Sequence, residues 1–294
     1  MTHMKKAILL FAVLLSGSIV MAQKSFSEVI EDKKLDKSLR VQAPGNLLDN
    51  QYEALTMKRI GLVSFYIMDD GIQDAYKYMG LSDAGGNFIA SKLHDMSIAS
   101  VKESFSSQGF ELLLPDEFLD SEAKKKAYSN YEMEVGVAYK MLLNTVNRIA
   151  STGSGIQNAA SANGYEFYPL AGAAGDYKLG ESLAALTEQL GVDALAVAFI
   201  KTKTDKKNSY FVGTGMHLFS KNPIEKIPGK KYPGRSYTTG MNVGGLNYEV
   251  KKPFTFVDYK KGERTGQNFE GYGQLMKIIA AKLASVTKQR MTGS

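Results

Sequence analysis

Four leucines set the pattern from which the rest of the chain can be read. Leu179, Leu183, Leu186 and Leu190 recur at spacings of four, three and four, which puts them on one face of an α-helix. Gly191 follows as the residue that tolerates a left-handed backbone where a helix closes, and Asp193 separates it from the unbroken apolar run Ala194 to Ile200. A run without polar alternation suits a strand covered on both faces. The expected architecture is therefore a helix packed on a sheet whose middle strand is Ala194 to Ile200.

The same reading extends along the chain. Lys58 to Met68 crowds β-branched and aromatic residues and stops at Asp69-Asp70-Gly71, as a strand with a turn behind it does. Ile72 to Gly86 reads as a loop. Asn87 is the expected N-cap of a helix to Gln108, with Ile89, Leu93, Met96, Val101 and Phe105 on its apolar face and Gly109 closing it. Phe110 to Leu114 gives a short strand before Pro115. Asp120 is the expected cap of a long helix to Ala150. Its seam of Tyr128, Tyr131, Val135, Ala138, Leu142, Val146 and Ile149 would run for roughly 40 Å at about 1.5 Å per residue. Ser151 to Gly164 and Tyr165 to Asp176 read as loops.

Beyond the central strand, Thr202 to Asn208 is a charged turn and Tyr210 to Phe219 completes a hairpin. Ser236 to Val250 and Pro253 to Tyr259 are further strand-like pieces. Phe269 to Arg290 closes the chain as an amphipathic helix with Tyr272, Leu275, Ile279, Leu283 and Val286 on one side. No period recurs along the chain, so no internal repeat is expected. The fold class is α/β in the broad sense, of the α+β kind. It combines a mixed β-sheet covered by helices, one long helix, a β-hairpin run near the C-terminus and a closing C-terminal helix.

Composition adds a compartment. Lys5 and Lys6, the apolar stretch Ala7 to Leu15 and the small-residue exit Val20-Met21-Ala22 read as a secretory signal, with cleavage before Gln23. Residues 1–22 are thus expected to leave, 23–57 to form an N-terminal arm, and 58–294 to form a single domain with a Tyr/Gly/Lys-rich region at 201–264. The chain has no cysteine, which excludes disulfides, thiolate metal sites and a lipid-modified cysteine at the cleavage point. The expected location is the periplasm, the cell surface or the medium.

Charge is distributed unevenly. Removing the signal takes the formal charge from +6 to +4, yet Lys201 to Arg264 alone carries fourteen Lys or Arg against five Asp or Glu. In an exported protein such a segment can face an acidic protein, an anionic membrane or lipopolysaccharide, whereas nucleic acid is not expected there. It can equally be a solvated surface whose lysines guard strand edges.

Candidate chemistry is sparse. After signal removal the only histidines are His94 and His217, neither with a second histidine at ligand spacing. No Gly-x-Ser-x-Gly elbow is present, and Gly153-Ser154-Gly155 follows a helix without the Gly-Lys-Ser/Thr of a phosphate loop. No cofactor is expected. Asp69, Asp70 and Asp74 lie at the carboxyl end of the first strand, where open α/β sheets bind ligands. They are weak candidates for Ca²⁺ or Mg²⁺, because their spacing does not fit a calcium loop. The group most expected to be used is Tyr232, Arg235, Tyr237, Tyr248, Lys251, Lys252 and Tyr259, because tyrosine and arginine are enriched where proteins meet one another.

The element order, together with QGFELLLP (Gln108 to Pro115) and LGVDALAVAFI (Leu190 to Ile200), resembles the periplasmic domain shared by the curli secretion channel family and the amino-terminal domain of TolB. The likeness covers roughly Lys58 to Phe219 and the last helix. It implies an envelope-associated, non-enzymatic module that binds other proteins, sometimes as a ring-shaped oligomer. The sequence departs from the channel family in lacking the lipidated cysteine, so anchoring and pore formation are not carried over. Two functions follow. One is an exported scaffold or protein-interaction module of the cell envelope, able to assemble with copies of itself. The other is an exported small-ligand or metal-dependent binding protein or enzyme using the Asp69-Asp70 end of the sheet.

Overall fold

The computed structural model describes residues 25–42, 52–69, 84–130, 159–166, 168, 183, 185–204, 207–221, 240–261 and 263–293. Its organising pair is β2 (Arg59–Asp69) and β5 (Ala194–Thr204), which run parallel from Ile60 opposite Ala194 to Asp69 opposite Thr202. The carboxylate of Asp193 fixes where they start. It accepts from the backbone N–H groups of Lys58 and Arg59 at 2.9 and 2.7 Å, while its own N–H donates to the Arg59 carbonyl. Gly191 turns the chain into this contact with φ of +68°, a conformation that costs a residue with a β-carbon about 1 kcal/mol.

Around the pair, the sheet order is β1-β7-β6-β5-β2-β3. Here β1 is Val41–Gln42, β3 is Glu111–Leu113, β6 is Asn208–Lys221 and β7 is Gly240–Lys260. Two short strands lie off this path: β4 (Ala159–Ser161) on β2 and β8 (Glu263–Gln267) on β7. Among the described strands only the β2–β3 and β2–β5 ladders are parallel, so the sheet is mixed, as the alternation of helices and hairpins implies.

The two faces are covered differently. On one, α1 (Phe26–Glu31), α3 (Ala84–Ser106) and α7 (Tyr272–Thr292) pack over Ile60, Leu62, Phe65, Ala196, Ala198, Leu218, Leu246 and Phe256. Gly273 lets α3 and α7 close on each other, since a β-carbon there would meet the Met96 carbonyl oxygen at 2.3 Å. On the other face, α4 (Pro115–Phe118), α5 (Glu122–Ser129) and the helical residues 185–190 (α6) cover β2 and β5. Leu183, Leu186 and Leu190 lie there against Val63, Leu195 and Val197, all buried, as the leucine spacing predicts. Leu179 lies outside the described residues.

Several boundaries differ from expectation. The segment read as an arm contributes core. Phe26 is 1% exposed and meets Phe211, Phe254 and Tyr272 edge-on at centroid distances of 4.8, 5.1 and 5.4 Å, behind a cap in which the Ser25 hydroxyl accepts from Glu28 N–H. Helices α1 and α2 (Leu35–Ser38) belong to this segment. Helix α3 begins at Ala84 rather than after an Asn87 cap. The cap of α5 is Ser121, whose hydroxyl accepts from Lys124 N–H, because Asp120 is instead paired with the Lys124 ammonium at 2.9 Å. The described helix there is Glu122–Ser129, and residues 131–150 lie outside the description.

The pieces expected at 236–250 and 253–259 are one strand. The register of β7 on β6 passes from Glu249 opposite Gly213 to Phe254 opposite Phe211. Val250 to Pro253 therefore bulge out opposite Val212, and the ladder needs no N–H from Pro253.

Candidate interaction surface

Two hairpins end at the same edge of the molecule. β5 and β6 pair out to Thr204 opposite Ser209, and β7 and β8 out to Lys260 opposite Glu263. The Tyr259 N–H donates to the Lys207 carbonyl and ties the tips together. Lys203, Lys207, Lys260, Lys261 and Arg264 are exposed at this end, and the β7 bulge adds the exposed Lys251 and Lys252. With Lys201, eight cations stand here among the described residues, against the anions Glu249 and Asp258. Lys201 is paired with Glu249 at 2.5 Å, and the Arg264 guanidinium stacks 3.7 Å from the Phe88 ring centroid.

Several lysines elsewhere are neutralised locally, whereas Lys92, Lys126 and Lys288 on the helices have no ion pair among the described residues. Lys102 pairs with Glu117, Lys125 with Glu122, Lys221 with Glu188, Lys277 with Glu103 and Lys282 with Asp36. Lys203, Lys251, Lys252, Lys260 and Lys261 have no ion pair among the described residues. The bulge also occupies a particular place. β1 meets β7 only at Gly245 and Leu246 and β8 meets it only from Val257 to Lys260, so residues 247–256 lack a described strand on that edge. Two lysines and a proline there oppose pairing with a foreign strand.

The residues singled out from sequence are divided by the structure. Lys251 and Lys252 are on this surface. Tyr248 is not: it alternates with Leu246 and Val250 toward the helices and is 8% exposed, with burial, then Asp32, holding its hydroxyl above the ordinary tyrosine range. Tyr259 is half-buried and its hydroxyl accepts from the Ser209 hydroxyl at 3.3 Å. Tyr232, Arg235 and Tyr237 lie outside the described residues, in the connection from Lys221 to Gly240. Asp69 ends β2 beside Thr202, and Asp70 and Asp74 lie outside the described residues. Among the described residues no group of three or more His, Cys, Asp or Glu is placed to hold a metal.

Sequence reasoning did not reach the partners of the two histidines. His217 sits on β6 beside Phe199 and Phe219, with Nε2 2.8 Å from Asn247 Oδ1 and Nδ1 3.4 Å from Asn242 Nδ2. With Nε2–H donating to Asn247, Nδ1 accepts from Asn242. The ring lies over Gly245, and the Phe199 ring lies over Gly215. Asn242, Gly244-Gly245 and Asn247 were the available signal, but in a sequence they read as turn residues.

His94 is bracketed as well. Nδ1 is 3.1 Å from Asp95 Oδ1 and Nε2 is 2.9 Å from the hydroxyl of Tyr165, whose ionisation is pushed far up, first by burial. Nearby, Tyr128 donates to the Val63 carbonyl at 2.6 Å and accepts from Glu166 N–H, and Tyr168 donates to the Tyr128 carbonyl. These side chains tie the segment around residues 159–168 to β2.

Compared with known proteins, the chain matches no family, no curated protein and no solved structure. No described helix is long and apolar enough to cross a membrane.

Proposed function

We propose that this protein is exported and works as a non-enzymatic interaction module of the cell envelope, engaging an anionic partner through its basic hairpin end. The observation that carries the reading is the crowding of exposed cations at one end of the sheet. Lys203, Lys207, Lys251, Lys252, Lys260, Lys261 and Arg264 are exposed there together, and Lys203, Lys251, Lys252, Lys260 and Lys261 have no ion pair among the described residues. Export rests on the charged, apolar and small-residue succession of residues 1–22. The likeness to the curli channel and TolB domains adds a preference for protein binding and for assembly with further copies.

The test is expression of the full chain in a bacterium with an outer membrane, followed by mass determination of the amino terminus and fractionation. A chain beginning at Gln23 and recovered with the envelope is expected. Recovery from the cytoplasm with residues 1–22 intact would overturn export. Native mass of the purified protein reads self-assembly, and a thermal-shift series with Ca²⁺, Mg²⁺ and sugars tests the competing use of the Asp69 end. A monomer stabilised by a metal would favour that second use.

A further inference from the structure

Resting on that reading, we infer that the anionic partner of the hairpin end is the surface of a lipid bilayer. The cations are carried on strand ends, turns and a bulge at one end of the sheet, over the few residue levels between Gly213 and the tips. Seven of the eight are lysines. Lysine is a compact, hydrated point charge on a flexible stem. It sums with its neighbours against a diffuse negative surface, whereas selective capture of one carboxylate or phosphate favours the rigid fork of arginine. The arginine among the described residues here, Arg264, is stacked on Phe88.

The scaffold also holds these charges together and leaves Lys203, Lys251, Lys252, Lys260 and Lys261 without an ion pair among the described residues. The Lys207 carbonyl to Tyr259 N–H bond joins the tips, so Lys260 and Lys261 move with the β5–β6 hairpin. Lys251 and Lys252 project where Val250 to Pro253 exceed their partner strand. An anionic leaflet attracts such a cluster over about a Debye length, roughly 10 Å at 0.1 M salt, so contact needs no insertion of apolar side chains.

The experiment sediments the mature chain, Gln23 to Ser294, with vesicles of phosphatidylcholine alone or mixed with phosphatidylglycerol. Binding is expected only to the mixed vesicles, and it should disappear near 1 M salt, where screening shortens to about 3 Å. Replacing Lys251, Lys252, Lys260 and Lys261 with Gln should weaken binding about tenfold or more. Removing the same number of charges at Lys102, Lys125, Lys277 and Lys282 should have much less effect. Circular dichroism confirms that both variants are folded. Equal losses in the two variants, or no binding by the folded wild type, overturn the inference. Binding to polyglutamate but not to vesicles would overturn the bilayer assignment while leaving the interaction-module reading in place. Absence of both would remove that reading too.

Discussion

The imidazole of His217 occupies the space above Gly245 where a β-carbon would stand: Cβ built on Gly245 would fall 2.4 Å from Cε1 and 2.5 Å from Nδ1 of the ring. Gly245→Ala must therefore displace the ring from Asn242 and Asn247. A loss of about 1–3 kcal/mol is expected in urea denaturation, as for other overpacked positions. In a His217→Ala background the same substitution should cost much less. Equal cost in both backgrounds would show that the ring is not what the β-carbon meets.

Leu186 is 1% exposed between α6 and the sheet. Leu186→Asp puts an unpaired carboxylate there and is expected to unfold the domain, while Leu186→Ala should cost about 2–5 kcal/mol. Circular dichroism and solubility distinguish these outcomes from a surface position, where neither change would matter.

Two carboxyls give opposite pH dependences. Burial acts to raise Glu117, but the Lys102 hydrogen bond and the Leu114 N–H outweigh it and leave the group below its ordinary 4.5. Its contribution is therefore present above pH 4.5 and lost as pH falls through the lower folded value. Glu166 is raised above 4.5 by burial, so its favourable contribution is full below that pH and is lost as pH rises through the folded value. Glu117→Gln should lower stability at neutral pH by up to about 1 kcal/mol and flatten the acid limb. Glu166→Gln should leave neutral stability unchanged or raise it. Melting curves from pH 3 to about 8 check both signs.

Lys251, Lys252 and Pro253 interrupt an edge of β7 that no described strand covers. Replacing all three with Val is expected to change unfolding by only about 0.5 kcal/mol, yet to bring on concentration-dependent association in light scattering. A strictly monodisperse variant would mean that this edge is protected by something other than these residues.

Where neighbours in sequence suffice, the pattern was legible. The leucine period of α6, the left-handed Gly191 and the apolar β5 follow from local rules, and each stands where those rules put it. The mixed sheet under helices follows from the order of elements. Capping was less legible: Asp120 and Ser121 are both acceptable N-caps, and the choice fell to Ser121 once Lys124 took the Asp120 carboxylate.

The candidate surface was legible only as a charge count. Lys201 to Arg264 announces a basic region, but nothing in its order distinguishes Lys251 on a solvent-facing bulge from Tyr248 three residues earlier in the core. That difference depends on the register of β7 against β6.

By itself, then, the sequence determined local conformation, because helix period, strand hydrophobicity and glycine freedom act within a few residues. Only the tertiary structure decided that Phe26 closes the core against Phe211 and Phe254, that His217 rests on Gly245, and that the lysines of two hairpins share one end. Those relationships join residues far apart in the chain. They are fixed by sheet register and the closure of the core, which no local pattern records.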